Sequence, residues 1–272
     1  MRFNRLTRWT QLFVLSILIT GCSSTTGPTK SFIPNTIPQA SIPASSSIQQ
    51  TRRVIVQELG QKQGMTLYDS GTDYQRVNNL VRRLSQAAGL GSFSYPVIIA
   101  DAGSKVNAMA VNGNTIVVYK ELLRRVPNNT ELAAVVGHEM AHIASRHHTD
   151  QTAQNRAAGV QIGASILGSL IGDRVGKAEG ELVGSLASKI GQGLFVSSYS
   201  REMEYEADHT GMLLMARAGY NPQGAIVFWS NANNIFGMSA GGSDFLSSHP
   251  SESRRLSRLQ ASLPTAMQYY QR

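Results

Sequence analysis

Two histidines four residues apart, with a glutamate directly after the first, constrain this chain more than any other feature. They stand in Val135-Val136-Gly137-His138-Glu139-Met140-Ala141-His142 as the pattern H-E-x-x-H. On a helix, positions i and i+4 share a face about one turn apart, so both imidazoles point the same way. The flanking residues predict that helix. Pro127-Asn128-Asn129-Thr130-Glu131 is a start signal, with Asn128 and Glu131 spaced as a capping pair. Leu132, Val135, Val136, Met140 and Ile143 then form an apolar face that buries most of the helix. Buried imidazole nitrogens need partners. One Zn²⁺ bound by His138 and His142 supplies them and leaves positions for a third ligand and a water. Glu139 then acts on that water as general base, which is the chemistry of zinc-assisted peptide hydrolysis.

A third ligand is expected from a second helix. Ser200 is a plausible N-cap for Arg201-Glu202-Met203-Glu204-Tyr205-Glu206-Ala207-Asp208, and the helix should run to a stop at Gly219, with Pro222 beyond. Glu204 and Asp208 are again i and i+4. Glu204 would ligate the zinc, and Asp208, one turn on, would accept the second ring N–H of a ligand histidine. Without the H-E-x-x-H segment, these acids would read only as a solvated helix start that favours the positive end of the dipole.

Together, His138-Glu139-x-x-His142 and Ser200-Arg201-x-x-Glu204-Tyr205-x-Ala207-Asp208 resemble the HtpX and prenyl-protein protease family of gluzincin metallopeptidases. Two further stretches carry the resemblance. Val106-Asn107-Ala108-Met109-Ala110 is similar to the family's "NAFA"-like strand, with Met109 in place of the usual aromatic, and His249-Pro250-x-x-x-x-Arg255-Leu256 is similar to its C-terminal "HP…R" element. The likeness covers roughly residues 50–260, with the motifs in family order. It is strongest to the periplasmic lipoprotein branch. The chain is too short for the tetratricopeptide domain that some members carry, so the single-domain type is expected. The resemblance implies an α+β fold, mainly helical, with a small β-sheet or hairpin and the H-E-x-x-H helix at the active site. It implies one Zn²⁺ per chain. It also places His249 where a histidine can approach the zinc as a fourth ligand, displace the catalytic water and act as an off-switch. Arg255 would then be structural or brace an acidic group behind the ligands. His147, His148 and His209 are expected to be solvated or to lie behind the ligands, not among them.

The N-terminus predicts a location. Arg2, Arg5 and Arg8 precede a short apolar run, Leu12 to Ile19, too short for an ordinary membrane span. The run ends Leu18-Ile19-Thr20-Gly21-Cys22, which resembles a bacterial lipobox around the chain's single cysteine. Residues 1–21 are thus expected to be a lipoprotein signal peptide, with lipidated Cys22 heading a Ser/Thr/Pro-rich tether over 22–48 and a metallopeptidase domain over 49–272. Several acyl chains anchor stably. With serines at 23 and 24 and no aspartate after the cysteine, the usual sorting rule points to the outer membrane of a Gram-negative bacterium, facing the periplasm. The whole chain carries a net charge of +8, and removing a signal with three arginines and no acids leaves 8 − 3 = +5. That is mildly basic, and no basic run with interleaved aromatics suggests nucleic-acid binding. The oligomeric state is not legible.

Within the domain, Asp73–Ala88 predicts an amphipathic helix with Val77, Leu80, Val81 and Leu84 inward, and Tyr95–Ala100 predicts a strand. Lys105–Val111 and Thr115–Tyr119 flank Asn112-Gly113-Asn114, a hairpin signal. Asn107, Ala108, Met109 and Ala110 are the expected edge strand on which a substrate peptide would lie, held by main-chain hydrogen bonds. Residues 158–193 carry glycines at 159, 163, 168, 172, 176, 180 and 184, mostly four apart. They predict either a packed helical hairpin or a mobile lid, with Asp173, Arg174, Lys177, Glu179 and Glu181 arguing against a membrane span. The expected function is a zinc metalloendopeptidase acting on misfolded or unassembled envelope proteins. The alternative is a chaperone-like assembly factor for outer-membrane proteins with latent proteolysis.

Overall fold

The computed structural model describes residues 37–38, 40–148, 199–237, 245–246, 249 and 253–270. Expectations for the signal peptide, Cys22, the first part of the tether and residues 158–193 lie outside these residues, as does Pro250.

The chain is mainly helical around a small mixed sheet. Helix α1 (Ser45–Ile55) continues into a wider π-helical stretch (Val56–Lys62), followed by β1 (Thr66–Tyr68), α2 (Thr72–Ala87), β2 (Val97–Asp101), β3 (Ala108–Val111), β4 (Thr115–Tyr119) and the short α3 (Lys120–Arg125). The H-E-x-x-H helix is α4 (Asn129–Ala144). Then come α5 (Arg201–Arg217), α6 (Gln223–Ser230), α7 (Ala232–Gly237) and α8 (Ser253–Tyr270).

The sheet order is β1-β2-β4-β3, with β2 and β4 parallel and both outer strands antiparallel to their neighbours. Side-chain alternation splits it cleanly. Val97, Ile99, Ala108, Ile116 and Val118 face the main core with α2, α4 and α5. Ile98, Ala100, Val111, Val117 and Tyr119 face a smaller core closed by Ile55, Leu59 and Met65. Central strand β4 is buried on both faces, which is why its sequence is continuously apolar and does not alternate. Asn112 and Gly113, both at positive φ, form the tight turn between β3 and β4, closed by Asn114 N–H donating to Val111 O over 3.1 Å. Strand β3 begins at Ala108, later than the expected Lys105.

Residues before 49 also make contacts with the rest of the chain. Ala40 is buried, Tyr95 Oη donates to Ser41 O, and Asn114 Nδ2 donates to Ser47 Oγ. Ser45-Ser46-Ser47 reads as linker by composition, but these small residues let α1 settle onto the hairpin turn.

Helices α4 and α5 carry the site. Asn128 caps α4, its Oδ1 accepting from Thr130 N at 2.8 Å. Ser200 caps α5, its Oγ accepting from Met203 N at 3.2 Å. Helix α5 closes as expected at Gly219 (φ +81), with Tyr220 N–H donating to Met215 O and Gly219 N–H to Ala216 O. The helices touch backbone to backbone at Gly137 and Gly211. A Cβ on Gly211 would lie 2.8 Å from His138 N, and one on Gly137 would lie 3.1 Å from Gly211 O. An interior glycine costs a helix about 1 kcal/mol relative to alanine. Here it lets the two ligand-bearing helices approach closely enough for their side chains to converge.

Candidate metal centre

His138 and His142 project from the same face of α4, and both are fully buried. Glu204, in the first turn of α5, meets them from the opposite side. His249, which precedes α8, reaches the same point. One ligand atom from each of His138, His142, Glu204 and His249 lies within 4.8 Å of all the others.

The spacing tests whether these donors fit a metal. Zn–N and Zn–O bonds of about 2.0–2.2 Å in a tetrahedron require ligand atoms about 3.3–3.6 Å apart. His138 Nε2 lies 3.0 Å from His142 Nε2 and 3.2 Å from His249 Nδ1. Glu204 Oε1 lies 3.4 Å from His142 Nε2 and 2.9 Å from His249 Nδ1, while Oε2 is 3.5 Å from His138 Nε2. The separations to Glu204 from His142 and His138 lie in that range and the other three fall a little short of it, so three imidazole nitrogens and a carboxylate make a slightly contracted form of a tetrahedral zinc donor set. A divalent ion is also the natural counterpart for lone pairs crowded together in a buried pocket.

Behind the donors stands a second layer. Asp208 Oδ1 is 2.9 Å from His138 Nδ1, the position expected for the acceptor of that ring's outer N–H. Arg255 grips Asp208 with a two-pronged pair, Nε to Oδ2 and Nη2 to Oδ1, both 2.7 Å. Its Nη1 lies 3.0 Å from Glu204 Oε2 and donates to His249 O at 3.3 Å. The guanidinium also stacks 3.8 Å over the Trp229 ring of α6. Arg255 therefore ties the acids to the backbone of His249. Phe245 stacks on the His249 ring, 4.6 Å between centroids.

Electrostatics follow from burial and this pairing. Burial pulls His138 toward the neutral form, but Asp208 and Glu204 outweigh it and push its pKa up to about 9. Burial likewise opposes ionisation of Glu204, yet His249, His138 and His142 hold its carboxyl well below the usual range. Asp208 is held low by Arg255 against its own burial. Glu139 moves the other way: desolvation raises its pKa, only partly offset by His249 and His138. Glu139 is thus a basic carboxylate among acidic ones. Its Oε2 accepts the Ala110 N–H at 3.0 Å, and its Oε1 is 3.5 Å from His249 Nε2.

The bond from Ala110 joins the site to the edge strand. In the β3–β4 ladder, Tyr119 N–H donates to Asn107 O, so the odd-numbered residues of β3 pair with β4. The backbone groups of Ala108 and Ala110 point away from it, Ala108 N–H to Asn107 Oδ1 and Ala110 N–H to Glu139. Met109 packs toward the smaller core on the other face of the sheet. Of the four expected strand residues, Ala108 and Ala110 therefore offer main-chain groups on the site side.

The three remaining histidines separate. His148 lies against Gly113 of the hairpin turn. His209 is buried, with Nδ1 2.8 Å from Ser262 Oγ of α8. His147 is buried directly behind His142, their Nδ1 atoms 2.9 Å apart. Tyr199 stacks flat on the His142 ring, 3.8 Å between centroids. Sequence reasoning missed Tyr199 and Trp229, which carry no spacing signal. His147, five residues beyond His142, takes the second of the two places expected for it, behind a ligand and not in solvent.

Comparison with known proteins supports the same chemistry. The description of peptidase family M48 matches residues 72–263. The chain is 26% identical over 191 residues to the mitochondrial metalloendopeptidase OMA1 of Schizosaccharomyces pombe, covering 70% of this chain and 53% of that protein. It is 30% identical over 178 residues to the Saccharomyces cerevisiae OMA1, covering 64% and 48%. It is 29% identical over 183 residues to the beta-barrel assembly-enhancing protease of Escherichia coli strain K12, covering 67% and 37%. The chain spans about half or less of the length of these relatives.

Proposed function

The chain belongs to peptidase family M48, a metallopeptidase family, and on that premise we propose that it is a zinc endopeptidase of the bacterial envelope that cleaves misfolded or unassembled proteins there. The observation that carries this reading is the convergence of His138, His142, Glu204 and His249 beside Glu139 and an edge strand. His138, His142 and Glu204 would hold the metal in a gluzincin arrangement. Bound there, zinc would polarise the scissile carbonyl and acidify the attacking water. Glu139, kept basic by burial, takes the proton from that water and passes it to the leaving amine. Asp208 orients His138, and Arg255 holds Asp208 in place. An extended substrate segment would add to β3 at Ala108 and Ala110, replacing the bonds that their N–H groups make to Asn107 Oδ1 and Glu139, and main-chain capture tolerates many sequences, which suits unfolded substrates.

His249 would be a fourth ligand. Its Nδ1 sits 3.2 Å from His138 Nε2 and 2.9 Å from Glu204 Oε1, where a catalytic water would otherwise stand. The resting enzyme is then latched, which favours a second activity, holding precursors without cutting them. His249→Ala should raise basal cleavage of an unfolded protein such as casein by the full chain, and a chelator should abolish that cleavage until zinc is restored. A His249→Ala chain no more active than wild type would remove the latch, and chelator-insensitive cleavage would remove the metallopeptidase.

A lipoprotein of the HtpX-like branch completes the reading. Cys22 would carry the lipid that anchors the chain to the outer membrane, with the domain in the periplasm. Among the described residues, no helix is long and apolar enough to cross a membrane. The E. coli relative's name connects it to β-barrel assembly, whereas the OMA1 relatives are mitochondrial. Fatty-acid labelling should mark the wild-type chain and be lost in Cys22→Ser, while labelling that survives the substitution would rule out this anchor.

A further inference from the structure

The two histidines of α4 are held from behind by different means. His138 has a carboxylate, Asp208, at its Nδ1. His142 has another imidazole: its Nδ1 lies 2.9 Å from Nδ1 of His147. Two neutral rings facing each other can bond only if one donates and the other accepts. His142 Nε2 points at His138 Nε2 and Glu204 Oε1, so it must keep its lone pair to serve a metal. Its proton then sits on Nδ1 and is donated to His147. That places the proton of His147 on Nε2, which faces Glu206 Oε2 at 3.5 Å. Glu206 Oε1 accepts from Ser145 Oγ at 2.8 Å, fixing the end of the chain. His147 is 2% exposed, and Tyr199 lies flat against His142, so neither ring has room to turn.

We infer that His147, aligned by Glu206, is a positioning residue that fixes the tautomer and ring orientation of His142 at the metal. The inference rests on the proposed ligand role of His142. It also explains why an imidazole stands where a carboxylate would serve. Glu139, Glu204 and Asp208 are already balanced by Arg255 and a divalent ion, and a further buried carboxylate would have no counter-charge. Relaying through a neutral ring moves the charge of Glu206 out to a side chain that is 38% exposed.

The test is the zinc dissociation constant of the full chain, measured by competition with a chromogenic chelator, beside thermal melting of the metal-stripped protein. His147→Leu removes the acceptor and should weaken zinc 10–100-fold. His147→Asn places an amide oxygen where Nδ1 stood and should bind zinc close to wild type. Glu206→Ala should fall between. Zinc binding by His147→Leu equal to wild type, or equal weakening by His147→Leu and His147→Asn, would overturn the inference. If metal-stripped His147→Leu gives no melting transition, His147→Asn and Glu206→Ala decide. Retention in the first with weakening in the second supports the inference, and any other pattern overturns it. His142→Ala separates this failure from that of the zinc site. If it loses zinc while His147→Leu does not, only the positioning role falls. If it too keeps wild-type affinity, the ligand reading falls with it.

Discussion

Glu139→Gln should lower peptide cleavage by roughly 10²–10⁴-fold while leaving zinc content at the wild-type level. The amide keeps the shape of the side chain, and its oxygen can still accept the Ala110 N–H that Glu139 Oε2 holds at 3.0 Å. What it loses is proton affinity. Glu139 is the carboxylate of the cluster whose pKa burial raises, so it is the group suited to take a proton from water and return it to an amine near neutral pH. His138, His142, Glu204 and His249 are untouched by the change, so the metal should stay. Initial rates on casein, with zinc measured in the same samples, check both halves. Equal rates in the two proteins would mean that another group is the base.

Arg255→Met should destabilise the fold by about 3–5 kcal/mol, since removing one partner of a buried ion pair strands the other. Here it strands two. Arg255 is 3% exposed, pairs in two-pronged fashion with Asp208 and also touches Glu204, so methionine of similar length takes the guanidinium from both buried carboxylates and leaves them to the histidines alone in the metal-stripped protein. At this chain length the loss corresponds to a drop in Tm of roughly 6–20 °C. Lysine would not rescue it fully, because a point charge cannot fork to both oxygens of Asp208. The pH dependence has a definite sign. The carboxyl of Asp208 is depressed in the folded wild type, so its contribution is present above the ordinary aspartate range and lost as pH falls through the folded pKa. In the variant, only His138 still opposes burial at Asp208, so its pKa rises, which favours the protonated form. The gap between the two metal-stripped proteins should therefore narrow below about pH 4. Thermal melts across pH would show this, and a Tm within roughly 2 °C of wild type at pH 7 would contradict the bracing role.

Much of the site was legible because its chemistry is local in sequence. H-E-x-x-H and Glu204-x-x-x-Asp208 each use the helical i, i+4 spacing, and their caps, Asn128 and Ser200, are where the residue types put them. Gly219 ended α5, and the Asn112-Gly113 turn made the hairpin, for backbone reasons that a sequence displays. Less legible was whatever depends on which elements meet. The Gly137–Gly211 contact brings α4 and α5 together, yet each glycine alone reads as a weak point in a helix. Tyr199 against His142 and Trp229 under Arg255 are contacts between segments distant in sequence, with no pattern to announce them. His147 follows the ligand helix closely, but its place between His142 and Glu206 depends on α5 meeting α4. Serine-rich α1 is hard to read as a helix from composition, because its support includes tertiary contact with the hairpin turn.

Metal analysis of the purified full chain combined with X-ray absorption at the zinc edge tests the central claim most directly. One zinc per chain with nitrogen and oxygen neighbours at about 2.0–2.2 Å is the expected result, lost when His138 and His142 are both replaced by alanine. A chain that takes up no zinc under saturating conditions, or that keeps it after both histidines are replaced, would contradict the assignment of this cluster as the metal centre.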